Sequence, residues 1–120
     1  MEYSKKYIVN DNHTDKEGWL DNTYYLFCME SCRYNYLKEM LDFDSDEEAK
    51  RNIYLKVYDY KIESDGILKK GDNFCVTCSV FLNSAEKQYL DFKHSVIIND
   101  KIVSVGVFSV NFIMVSADRL

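Results

Sequence analysis

Asp15-Lys16-Glu17-Gly18-Trp19-Leu20-Asp21-Asn22-Thr23-Tyr24-Tyr25 is the stretch on which the reading of this 120-residue chain turns. It sets one carboxylate, Asp15, in a polar loop that begins at Asn10 and runs just ahead of a helical pattern. Beyond it, Tyr25, Cys28, Met29, Cys32, Tyr36 and Met40 recur at three- and four-residue steps. That period predicts one long helix between Asn22 and Leu41, with Asp21 or Asn22 as its N-cap. The first turn of a helix leaves N–H groups unpaired and favours negative charge. An acid beside such donors can polarise and attack a carbonyl, which is a hydrolase-like arrangement.

Outward from this centre the chain reads as strands. Glu2 to Val9 is aromatic and β-branched enough for a first strand, and Ile53, Leu55 and Val57 alternate after the helix. Phe74 to Leu82, Tyr89 to Ile98 and Ile102 to Val115 follow, with turns at Ser64-Asp65-Gly66, Lys70-Gly71-Asp72-Asn73 and Asn99-Asp100. Phe43 to Arg51 puts acids before bases, which suits a short solvent-facing connector helix. One strand, one long helix and a run of strands without helical crossovers predict an α+β fold, an antiparallel sheet of about five strands wrapped around the helix. No repeat, proline or low-complexity linker divides the chain, so residues 1–120 are expected to form a single domain.

Composition excludes several classes. A formal net charge of −5 argues against nucleic-acid binding, which needs a basic face. No apolar run approaches the roughly 20 residues that span a bilayer. The start, Met1-Glu2-Tyr3-Ser4-Lys5-Lys6, lacks the apolar centre of a signal peptide, so the expected location is cytoplasmic, away from membranes. Cys28 and Cys32 fall on the helix's apolar face, whereas Cys75 and Cys78 point to opposite faces of a strand. Buried thiols are therefore expected, with no metal and no cofactor.

The motif Asp-x-x-Gly-x-Leu-x-Asn-x-x-Tyr, carried by Asp15, Gly18, Leu20, Asn22 and Tyr25, resembles the signature of hot-dog-fold acyl-CoA thioesterases of the 4-hydroxybenzoyl-CoA thioesterase type. Phe27, Glu30 and Arg33 match the aromatic, acid and base of that family's central helix; Lys69-Lys70-Gly71-Asp72 is similar to its Gly-Asp turn, and Asp118-Arg119 extends the likeness to the end. The resemblance implies a hot-dog fold and hydrolysis of an acyl-CoA substrate, with Asp15 as nucleophile or general base. It makes the backbone N–H of Asn22 the oxyanion donor, and implies a homo-oligomer, dimer or dimer of dimers (homodimer or homotetramer), with pockets shared between subunits. Gly18 would permit the tight turn between them. Leu20 and Tyr25 read either as lining of the acyl slot or as core.

Departures from the family pattern matter as well. His13 stands where the family usually has a second acid, and Asp11 where it tends to have an aromatic; the proline before the Gly-Asp turn is missing. His13 reads first as an exposed loop residue, though two residues from Asp15 it could tune that carboxylate or act as a base. Some hot-dog thioesterases use a glutamate on the helix, which draws attention to Glu30, but an ion pair with Arg33 is the preferred expectation. His94 is read as a sheet-face histidine. Arg51, Lys61, Lys69, Lys70 and Lys93 are the cations available for coenzyme A phosphates. The alternatives are an acyl-carrier-protein thioesterase, which the acidic net charge disfavours, and a noncatalytic acyl-CoA-binding hot-dog module.

Overall fold

Five strands and two α-helices follow one another in the order the sequence predicts: β1 (Tyr3–Ile8), α1 (Asn22–Met40), α2 (Ser45–Ala49), β2 (Ile53–Ser64), β3 (Asn73–Leu82), β4 (Leu90–Ile98) and β5 (Lys101–Met114). The computed structural model describes residues 3–64, 68–83, 85 and 88–116. Asp65, Gly66, Asp118 and Arg119 lie outside these residues. All pairings are antiparallel, and the sheet order is β1-β3-β4-β5-β2, so α1 is threaded between the two edge strands in sequence and packs across the sheet. This is the hot-dog arrangement.

Local chemistry fixes the ends of each element. Asp21 is the N-cap of α1, its carboxylate accepting from the Thr23 amide at 3.0 Å and from the Thr23 hydroxyl at 3.0 Å. The helix ends where Asp42 turns left-handed at φ 54° and the Phe43 amide donates back to Leu37 O at 2.9 Å. Asp44 caps α2 in the same way, accepting from the amides of Asp46 and Glu47. Asn99 and Asp100, at φ 50° and 62°, form the tight link between β4 and β5 that their sequence predicts.

The core lies between α1 and the concave face of the sheet. Cys28, Met29, Cys32 and Leu37 of the helix meet Val76, Cys78, Phe92, Val96, Phe108 and Val110. Cys78 is buried while Cys75 sits half-exposed on the other face, and all four thiols are free. Two expectations for the helix face need correction. Met40 is 55% exposed, whereas Arg33, a charged residue, is only 2% exposed and occupies the stripe between Met29 and Leu37. Glu30, on the exposed side, makes no ion pair with it; the guanidinium turns inward, its Nη1 reaching His94 Nε2 at 3.2 Å. Among the described residues no helix is long and apolar enough to cross a membrane.

Gly106 on β5 makes room for the helix. A Cβ there would lie 2.6 Å from Met29 Sδ and 3.1 Å from Phe108 Cε1. Because Met29 is enclosed on every side, Gly106→Ala is expected to destabilise the fold by about 1–3 kcal/mol through overpacking. Urea unfolding measures this directly; an unchanged midpoint would mean that the thioether swings aside without strain.

Candidate active site

Asp15 is positioned by a short antiparallel ladder that runs into the helix. Its amide donates to Trp19 O at 2.8 Å, Thr14 bridges Leu20, and the Asp21 amide donates to His13 O at 2.8 Å. Paired residues on such a ladder share a face, and alternate residues return to it. His13, Asp15, Trp19 and Asp21 therefore lie on one face, and Thr14 and Leu20 on the other. Leu20, at 7% exposure, points into the core. The turn at the ladder's end closes with Gly18 N–H donating to Asp15 O at 3.1 Å, and Gly18 adopts φ 85°, a conformation natural to glycine.

The Asp15 side chain is exposed, with one oxygen engaged. Oδ1 accepts from the Glu17 amide at 2.9 Å and the Trp19 amide at 3.1 Å, which orients the carboxylate and leaves Oδ2 without a protein donor among the described residues. The loop is held from beneath by the segment that carries the Gly-Asp turn. Leu20 N–H donates to Leu68 O at 2.7 Å and Lys70 N–H to Gly18 O at 3.1 Å, while Gly71 and Asp72 bond Val9 through their backbones. The two sequence motifs are thus one structural unit.

At the N-terminus of α1 a cleft of about 340 Å³ is lined by Asn12, His13, Asp21, Thr23, Tyr24 and Phe27. Three rings form one of its walls. His13 stacks on Tyr24 with centroids 3.6 Å apart and planes 16° from parallel, and Tyr24 stacks on Phe27 at 5.6 Å and 20°. Burial pushes the Tyr24 phenol up to about 12, so it stays neutral, and the amide and hydroxyl of Thr23 hold the Asp21 carboxyl below the usual carboxylate range. Tyr24 and Phe27, three apart on a helix, carried a signal in their spacing for an aromatic surface stripe, which the motif's emphasis on Tyr25 obscured. His13 is half-buried and stacked, not the exposed loop residue expected.

The remaining candidates fall elsewhere. Tyr25 is 3% exposed, with its hydroxyl sealed in near Leu68 and no well-formed hydrogen bond. It packs in the core beside a separate depression bordered by Leu26, Ile62 and Ser64. Asn22 is the first residue of α1, so its backbone N–H is one of those that a helix leaves unpaired. Arg51 and Lys61 are engaged with Glu48 and Glu63 on the surface, and none of the five expected phosphate-binding cations lines the cleft.

No family model matches the sequence, and no curated protein matches it. Solved structures do. A 1,4-dihydroxy-2-naphthoyl-CoA thioesterase from Synechocystis is similar with a TM-score of 0.84 at 12% identity, over 97% of this chain and 85% of that one. A DHNA-CoA thioesterase from Staphylococcus aureus gives a TM-score of 0.83 at 17% identity, over 98% and 82%. A hypothetical protein from Staphylococcus aureus in complex with CoA gives 0.83 at 13%, over 94% and 70%. At such identities the likeness establishes the fold, and the chain is a hot-dog protein.

Proposed function

We propose that the protein hydrolyses an acyl-CoA thioester to the free acid and CoA. The observation that carries this reading is the ladder that sets Asp15, which does not itself line the cleft, on the same face as His13 and Asp21, two residues that do. The acyl carbonyl oxygen points at the Asn22 N–H, where the helix end stabilises the charge that develops on it. The free Oδ2 of Asp15 then attacks the carbonyl carbon, the C–S bond breaks, CoA leaves as thiolate, and water hydrolyses the resulting anhydride. Alternatively, Asp15 removes a proton from the water that attacks. The Phe27 ring, 60% exposed at the end of the stack, offers a flat surface for an aromatic acyl group, in keeping with the 1,4-dihydroxy-2-naphthoyl-CoA that one of the similar structures is named for. Gly18 shapes the loop, and Leu20 and Tyr25 back the site from the core.

We also propose that the working form is a dimer joined along β2. That strand is twelve residues long, pairs among the described residues only with β5, and exposes Val57, Tyr58 and Tyr60 at 37%, 44% and 55%. An open edge of this length and polarity invites a second strand. Sedimentation is expected to give roughly twice the 14.2 kDa chain mass, and the double substitution Tyr58→Lys, Tyr60→Lys to return it to the monomer. A monomeric wild type would sink the dimer.

The function itself is tested by release of free CoA thiol from a panel of aromatic and aliphatic acyl-CoAs. Turnover, fastest on the aromatic members, is the expected result. A wild type inactive on the whole panel, yet binding its members, would leave the noncatalytic module as the reading.

A further inference from the structure

His13 has a role that the acyl-CoA motif does not give it, since the motif's relatives carry an acid at this position. Of the chain's two histidines, His94 is sealed in the core and His13 alone lines the cleft. Two constraints fix where its ring stands. Its carbonyl is bonded to the Asp21 amide at 2.8 Å, one residue before the helix begins, and its plane lies 16° from that of Tyr24 in the helix's first turn. The ring is thus held against the same helix end that presents the Asn22 N–H.

The two ring nitrogens differ. Nδ1 is buried with no hydrogen-bond partner, so it is closed to any ligand in either tautomer. Nε2, the distal nitrogen, has no partner among the described residues and is the one left to the cleft; in the tautomer that carries its proton there, it is a donor open to a ligand. Asp15 already supplies the carboxylate that a nucleophile or base requires, and one backbone N–H supplies a single donor for an oxygen that gains a full negative charge. A second donor has to come from a side chain lining the cleft, and of those present, the Asn12 amide among them, the His13 ring is the one held on the helix end by its stack on Tyr24.

We propose that His13 is a further catalytic residue, donating from Nε2 to the acyl carbonyl oxygen together with the Asn22 N–H as the oxyanion forms. The assignment rests on the thioesterase reading above. Two variants in the thiol-release assay test it. His13→Phe keeps a ring to stack on Tyr24 and removes the donor; kcat is expected to fall on the order of 100-fold, with KM changing little. His13→Gln, whose side-chain amide N–H reaches close to where Nε2 stood, is expected to recover most of that loss. Wild-type kcat in His13→Phe, or equal losses in both variants, would overturn the donor role and leave a purely structural ring. Activity abolished by Asp15→Asn but untouched by His13→Phe overturns this assignment alone, whereas a wild type inactive on every acyl-CoA overturns the thioesterase reading and this with it.

Discussion

Asp15→Asn is expected to lower acyl-CoA turnover on the order of 10³- to 10⁴-fold while leaving the fold intact. The two halves of this expectation come from different oxygens. Oδ1 accepts from the Glu17 and Trp19 amides, and an asparagine carbonyl oxygen can accept the same two bonds, so the turn survives. Oδ2 is the free oxygen, and the amide nitrogen that replaces it neither attacks a carbonyl nor takes a proton from water. Unfolding free energy should therefore change by less than about 0.5 kcal/mol, as for other exposed substitutions. Asp15→Ala separates the roles from the other side, since it removes both the reactive oxygen and the turn. Glu30→Gln serves as the control carboxylate, because Glu30 is exposed on the helix away from the cleft. Equal losses in Asp15→Asn and Glu30→Gln, with both proteins folded, would undo the assignment of Asp15; so would appreciable turnover in Asp15→Asn.

Much of this was legible because local chemistry and tertiary need agree. The period of Cys28, Met29 and Cys32 marks a buried helix face, and they are buried. Asn99-Asp100 is a turn by its own preference and a turn in the fold. The exceptions share a cause, which is that the deciding partner lies far off in sequence. Helical spacing pairs Arg33 with Glu30 three residues before it, whereas the group that receives it, His94, is 61 residues away. Met40 continues the helical apolar period, but it is the last residue of the helix and stays 55% exposed. In the site, the motif picked out Asp15 and the helix start, yet it gave no warning that His13 would stack on Tyr24. A stack of two rings eleven residues apart depends on the ladder between them, and the ladder closes only because the Leu68–Asp72 segment holds Leu20 and Gly18 in place.

The buried pair in the core sets the second large expectation, a loss of stability in mild acid that traces to one imidazole. His94 is fully enclosed, with Nδ1 at 3.0 Å from Thr77 O and Nε2 at 3.2 Å from Arg33 Nη1. Thr77 O can only accept, so Nδ1 carries the proton and Nε2 accepts from the guanidinium. The Arg33 charge has no carboxylate within hydrogen-bond distance among the described residues; the Phe108 ring stands 4.6 Å from the guanidinium carbon, and Tyr34, Glu30 and the thiols of Cys78 and Cys32 act on the charge from further off. A second positive charge in this space would face the first directly. Burial, and then the Arg33 charge, accordingly hold His94 down to about 4 from its ordinary 6.5. In the unfolded chain the imidazole protonates near 6.5, whereas in the folded protein it resists until about 4, so the unfolded state binds the extra proton throughout that window and stability falls as pH falls through it. The loss attributable to this residue between pH 7 and pH 4 is about 3 kcal/mol. His94→Gln offers the same donor and acceptor without titrating, so its unfolding free energy, followed in urea at fixed protein concentration, should decline less over this range by about that amount. Carboxylates held low, such as Asp21 and Asp44, also weaken the fold as they protonate, but they do so in both proteins and cancel in the difference. Parallel pH profiles for wild type and His94→Gln would show that the imidazole does not enter the folded core uncharged, and the account of Arg33 as a buried cation held by a neutral histidine would fall.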